Sequence, residues 1–184
     1  MSDLKRIVTI FGSSRPRAGD SRYAEARALG SALAAKGFVI CSGGYSGVME
    51  AVSRGAKEAG GKTIGITAEF FRSRANEWID EEIRVKNWQD RLFELVRLGH
   101  GYVACPGGTG TLVELAVVWE MLSKGAMAGK PLAVLGDYWQ PVIECVNEGE
   151  RSHSPSRGEG DDLVHVAASP ADAATYLAGH FRAR

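Results

Sequence analysis

Several features are scarce in this sequence, and each scarcity excludes a class of protein. There is no charge of one sign: 22 Lys and Arg face 22 Asp and Glu. A nucleic acid or membrane surface held by bulk electrostatics is therefore not expected as a partner. No apolar stretch approaches the ~20 residues that a membrane helix needs. Cys41, Cys105 and Cys145 are odd in number and form no CxxC pair, which argues against a disulfide framework. His100, His153, His165 and His180 lie far apart, without HxxxH or HxxE spacing, so no metal site is expected. MSDLKR leads directly into a strand-like run. No secretory leader is expected there, and the predicted setting is the cytoplasm, with reduced thiols.

Glycine is abundant instead. The chain has 23 among 184 residues, well above the usual ~7%. The length suits one domain with a sizeable core. Apolar or β-branched runs recur at Ile7–Phe11, Phe38–Cys41, Thr63–Ile66, Ile83–Val85, Tyr102–Cys105, Leu132–Leu135 and Leu163–Val166. Helix-period stretches lie between them, among them Tyr23–Leu33, Val48–Ala56, Trp88–Val96, Leu112–Leu122, Trp139–Val146 and Pro170–Phe181. Continuous apolar strands alternating with helices predict an α/β fold. We read a Rossmann-like three-layer sandwich whose mostly parallel sheet of about seven strands carries helices on both faces. Residues 1–184 are read as one nucleotide-binding domain. Two stretches break the alternation. Glu69–Glu82 is expected to be a short helix or an excursion, and Glu148–Asp162 a polar loop, either plain solvent loop or a flap near the ligand.

The most informative pattern occurs twice. Cys41-Ser42-Gly43-Gly44-Tyr45-Ser46-Gly47-Val48-Met49-Glu50 and Cys105-Pro106-Gly107-Gly108-Thr109-Gly110-Thr111-Leu112-Val113-Glu114 share the Cys, both Gly and the Glu. Each reads as a buried strand, a glycine turn and a helix with a carboxylate in its first turn. Such a turn lets backbone N–H groups converge on an anion at a helix N-terminus. Gly12-Ser13-Ser14 after the first strand gives a third such turn. In a parallel sheet all three fall at the carboxyl ends of strands, where ligands bind. The alternative is that they are only tight connections. Other motifs fail: Gly55–Thr63 is a misspaced Walker loop, no GxGxxG is complete, and Gly44–Gly47 is not GxSxG.

Glu114, about one turn into its helix, can lean back to the glycine turn, where the helix dipole favours its ionised form. It would suit a developing cation or a water; alternatively it serves only the dipole. Arg91 follows Asn87, a plausible N-cap, with Asp90 at the third position. A cation at a helix N-terminus hints at a compensating anion. Otherwise it forms an exposed pair with Glu94.

These residues resemble the LONELY GUY family, the cytokinin riboside 5′-monophosphate phosphoribohydrolases. The hallmark PGGxGTxxE is complete at Pro106–Glu114, Arg91 matches the upstream arginine, and Ser42–Ala51 and Gly12–Ser14 match the earlier turns. The sequence departs from the usual pattern at Ser42, Leu92 and Val117 and in the Trp88-Gln89-Asp90 lead-in to Arg91. The resemblance implies hydrolysis of the N-glycosidic bond of a purine nucleoside 5′-monophosphate, AMP or a cytokinin nucleotide. It implies Glu114 and Arg91 as catalytic residues. Gly12, Ser13, Gly43, Gly44, Gly107, Gly108, Thr109, Gly110 and Thr111 would hold phosphate and ribose. No metal or organic cofactor is implied. A homodimer is, with sites near the subunit boundary, and the apolar helix around Val117, Val118, Trp119 and Met121 is either interface or core. The rival reading is a non-catalytic nucleotide or molybdenum-cofactor carrier of the same fold, favoured by Leu92 and Val117. A pyridoxal-phosphate decarboxylase is disfavoured, because Lys62, Lys124 and Lys130 have no cofactor-site context.

Overall fold

A computed structural model describes residues 6–153 and 163–182. Its seven strands are β1 (Ile7–Phe11), β2 (Val39–Ser42), β3 (Thr63–Ala68), β4 (Glu81–Val85), β5 (Gly101–Ala104), β6 (Leu132–Leu135) and β7 (Val164–Ala167). The helices are α1 (Ser21–Ala35), α2 (Val48–Glu58), α3 (Trp88–Leu98), α4 (Thr109–Ser123), α5 (Gln140–His153) and α6 (Pro170–Arg182). The strands form one parallel sheet in the order β4-β3-β2-β1-β5-β6-β7.

Alternation along the strands builds two cores. Val8, Ile10, Ile40, Val103 and Ala133 pack with α1, α2 and α6 on one face. Phe11, Cys41, Ile66, Tyr102, Ala104 and Val134 pack with α3, α4 and α5 on the other. The sandwich therefore has the three layers that the sequence predicts. The chain builds outward from β1 through β2 and β3 to β4, then returns to place β5 on the other side of β1. That reversal opens a crevice beyond the carboxyl ends of β1 and β5. Gly12–Ser14 and Pro106–Gly110 lie at those two ends.

The irregular stretches resolve differently from each other. Glu69–Phe71 is a single 3-10 turn, followed by an extended excursion that enters β4 at Glu81. The polar loop expected over Glu148–Asp162 is corrected at its start: Glu148–His153 continue α5. A helix end polar all round gives no periodicity to read. Residues 154–162, the rest of that stretch, lie outside the described residues. The three cysteines are free, with Cys41 and Cys105 buried. Val118 and Trp119 are core, and Val117 and Met121 pack half-buried against it. Among the described residues no helix is long and apolar enough to cross a membrane.

The helices α1 and α2 cross at a pair of glycines. A Cβ on Gly30 would strike the Val52 carbonyl, and one on Gly55 would strike the Arg27 carbonyl. Neither obstacle is a flexible side chain, so the two helices must part to admit a methyl group. Gly30→Ala is expected to lower unfolding free energy by about 2 kcal/mol, although alanine is the better helix former. Urea denaturation monitored by circular dichroism would measure the loss.

Candidate active site

The three turns that look alike in sequence spend their backbone groups differently. After β2, the Gly43 carbonyl accepts from Arg91 Nη2 at 3.0 Å. The Gly44 carbonyl accepts from the Asn76 amide at 2.8 Å and from its Nδ2 at 3.0 Å. Gly44 N–H donates to Ser42 Oγ at 3.2 Å. Both glycines are buried, and neither lines the cleft. Tyr45 and Ser46, the next residues of the same turn, do reach the cleft. The Gly43 and Gly44 carbonyls thus anchor Arg91 and the 69–80 excursion. A Cβ at Gly43 would collide with the guanidinium itself, so glycine is needed there to admit Arg91. Glu50, the counterpart of Glu114 in this unit, accepts from the Tyr23 hydroxyl at 2.8 Å.

After β5 the outcome is the reverse. No side chain caps α4, whose N-cap is Gly108, and Gly108, Thr109 and Gly110 are exposed. The uncapped first turn of a 15-residue helix leaves N–H donors and positive potential facing open space. Gly12, Ser13, Gly107, Gly108, Thr109, Gly110, Thr111, Arg91 and Glu114 all line one cleft of about 1190 Å³. Gly12 admits the start of α2, since a Cβ there would strike Val48. The Ser13 hydroxyl accepts from Arg15 N–H at 3.1 Å.

Arg91 is placed by the cap expected for α3: Asn87 accepts from the Asp90 amide at 2.8 Å. Its side chain turns inward and is only 8% exposed. Nε donates to the Ile66 carbonyl at 2.8 Å. The guanidinium lies 5.3 Å from the Tyr45 ring centroid and 5.5 Å from that of Phe71. The exposed pair with Glu94 does not form, because Glu94 is held by Arg97 at 2.6 and 2.8 Å. Arg91 Nη1 instead faces Glu114 Oε1 at 3.9 Å. That gap exceeds hydrogen-bond reach, so the two charges attract without touching.

Glu114 is 16% exposed, and burial pushes its carboxyl up to about 7 against the pull of Arg91. The expected preference for the ionised form at the helix N-terminus is thereby corrected: desolvation outweighs the favourable charges. Burial likewise lowers the guanidinium's affinity for its proton, with Glu114 opposing. Both groups hold their charge at a cost, and an oxygen-rich ligand bridging the gap would relieve both.

Sequence reasoning missed the rest of the lining. Tyr45, Met49, Phe71, Trp88, Tyr138, Arg15 and Arg22 also face the cleft. Trp88 was read only as the start of a helix-period stretch and as part of the lead-in to Arg91. Tyr138 follows β6, and the rule applied to the ends of β1, β2 and β5 would have found it there.

Fold and site together define an α/β protein with an open cleft at the switch point of a parallel sheet, floored by a buried Arg–Glu pair. A family model described as LDcluster4, the SLOG cluster4 family, matches residues 5–157, and the chain belongs to this family. The LONELY GUY kinship implied by PGGxGTxxE stands with it. A cytokinin riboside 5′-monophosphate phosphoribohydrolase of Rhodococcoides fascians is 27% identical over 149 residues, covering 77% of this chain and 74% of the relative. One from Mycobacterium marinum is 34% identical over 117 residues, 62% of either chain. Among solved structures, the molybdenum cofactor binding protein of Rippkaea orientalis superposes with a TM-score of 0.76 at 27% identity. It covers 98% of this chain and 99% of that one. The molybdenum cofactor carrier protein of Chlamydomonas reinhardtii gives 0.70 at 25% identity, covering 97% and 99%.

The titration of Glu114 has a definite sign. Its carboxyl rises from the ordinary 4.5 to about 7 on folding, so the folded state binds the proton more tightly than the unfolded one. The stability this group contributes is complete below the unfolded value and is lost as pH rises through the folded one. Relative to wild type, Glu114→Gln should gain on the order of 3 kcal/mol between pH 4.5 and pH 8. Chemical denaturation of both proteins across that range would read the crossing curves.

Proposed function

We propose that the protein hydrolyses the N-glycosidic bond of a purine nucleoside 5′-monophosphate, releasing free base and ribose 5-phosphate. The observation that carries this reading is the buried Arg91–Glu114 pair, held 3.9 Å apart beneath the uncapped turn of α4. The turn at Gly107–Thr111, with Ser13, would seat the phosphate. The ribose hydroxyls would fill the gap, accepting from Arg91 Nη1 and donating to Glu114. Positioning of this kind contributes much of a barrier reduction.

In the reaction the bond from C1′ to the base nitrogen breaks, and its electron pair leaves with the base. Glu114, as carboxylate, stabilises the oxocarbenium-like ribosyl cation and orients the water whose oxygen adds to C1′. The water's protons end on the new hydroxyl and the departing base. Tyr45, Phe71 and Trp88 offer flat apolar surface beside the pair for the base. No step calls for a metal or organic cofactor. AMP is the simplest substrate of this class, and a cytokinin riboside monophosphate is the relative's version of it. We place the protein in the cytoplasm as a homodimer, with Phe93 on α3 and Val113 on α4, both exposed, available for burial between copies.

A second reading has its own support. The near-complete superposition on molybdenum cofactor binding proteins fits a carrier that keeps the anion seat without turnover.

Incubation with AMP and the other nucleoside monophosphates, followed by chromatography for free base, separates the two. Base release should appear in wild type and fall by at least ~100-fold in Glu114→Gln. Its rate should rise with pH and level off above about 7, where the carboxyl has ionised, and this limb should vanish in the variant. Absence of release, with AMP still raising the melting temperature, would replace the hydrolase with the carrier.

A further inference from the structure

An anion seat made of main chain needs its N–H groups turned inward and its carbonyls turned away. Three consecutive carbonyls of the β5–α4 turn are each tied off by a donor from outside it. The Cys105 carbonyl accepts from Trp139 Nε1 at 3.0 Å. The Pro106 carbonyl accepts from Ser13 N–H at 3.4 Å. The Gly107 carbonyl accepts from the Tyr138 hydroxyl at 2.8 Å. Two of the three donors are neighbours in the β6–α5 loop, and their rings meet edge to face, 4.9 Å apart at 89°. Trp139 is buried in the core, so it fixes the plane of the more exposed Tyr138. Arg22 lies over that ring, 5.2 Å from its centroid.

We infer that Tyr138 is a positioning residue for the anion-binding turn, its hydroxyl holding the Gly107 carbonyl away from the cleft so that the turn presents donors alone. The inference rests on the reading of Gly107–Thr111 as the phosphate seat. The peptide joining Gly107 to Gly108 is planar, with its C=O and N–H on opposite sides. Fixing one end therefore aims the other. Neither residue has a Cβ to resist rotation of that peptide. Without the hydroxyl, the Gly107 carbonyl is an unpartnered acceptor at the edge of the cleft, able to turn its negative end toward an incoming anion. Binding of the phosphate suffers, while contacts to sugar and base do not.

The test measures, by titration calorimetry on the full chain, dissociation constants for AMP, inorganic phosphate and adenosine. It compares wild type with Tyr138→Phe, which keeps the ring and the Arg22 contact, and Tyr138→Ala, which keeps neither. Both variants should bind AMP and phosphate about tenfold more weakly and adenosine as wild type does, with the unliganded melting temperature unchanged in Tyr138→Phe. Equal weakening in the two variants assigns the effect to the hydroxyl. The inference is overturned if Tyr138→Phe binds AMP and phosphate normally, if adenosine is weakened as much as AMP, or if wild type binds no phosphate-bearing ligand. Binding without cleavage would sink the hydrolase reading alone, and the comparison of variants would still decide for Tyr138.

Discussion

The buried guanidinium of Arg91 is the interaction on which the site depends. A cation that is 8% exposed must recover its hydration from fixed partners, and burying it without them would cost several kcal/mol. Nε and Nη2 find those partners in the carbonyls of Ile66 and Gly43, which belong to β3 and to the turn after β2. The helix that carries Arg91 is thus pinned to two strand ends at once. Tyr45 and Phe71 close over the same group, and Tyr45 is itself fixed by hydrogen bonds with Ala68 N–H at 2.9 Å and Ala68 O at 3.2 Å. Among the described residues Nη1 has no hydrogen bond, and it faces Glu114. The groups spent on structure determine which one is left for a ligand.

Topology explains why two turns of nearly identical sequence take different roles. The unit after β2 is enclosed by β3 and the 69–80 excursion, which supply Arg91's other anchor and Asn76. Its carbonyls are needed there, and its carboxylate, Glu50, is claimed by Tyr23. The unit after β5 lies at the switch point, where β1 and β5 lead to helices on opposite faces and a crevice opens between them. Its carbonyls are drawn off by Tyr138, Ser13 and Trp139, while its N–H groups meet no side-chain cap. One pattern serves as a socket for an arginine, and the other turns an uncapped helix start toward the cleft.

Much of the fold was legible because its signals are local. Runs such as Leu132–Leu135 are apolar along their length because both faces of the sheet are covered, and Asn87 with Asp90 marks the start of α3 by hydrogen bonds three residues apart. The site was legible in its composition and only partly in its geometry. PGGxGTxxE marked the turn before α4 and Glu114, and Arg91 was singled out beside them, but the 3.9 Å relation between the two charges joins residues 23 positions apart through the packing of α3 on α4. The anchoring of the Gly43 and Gly44 carbonyls was hidden for the same reason, since it depends on partners such as Asn76, far away in sequence. The direction of the Glu114 shift was misjudged because dipole and charge can be read from neighbours in sequence, whereas desolvation depends on the whole surround.

That shift bears on whether such a cleft is catalytic. A carboxyl near its midpoint around neutral pH is governed by what arrives. A ligand that covers it with apolar surface deepens the desolvation, keeps the proton on, and leaves a neutral acid beside Arg91, useful for holding but not for stabilising a ribosyl cation. A ligand that sets hydroxyls into the gap donates to the carboxylate and favours its ionised form. Arg91 supports that form at 3.9 Å, and a cation forming nearby finds its counter-charge in place. A sugar diol fits this requirement, and a phosphate at the α4 turn would bring the diol to the gap. On the proposed reading the same cleft would suit a hydrolase when its ligand favours the ionised Glu114, and a carrier when its ligand keeps the proton on.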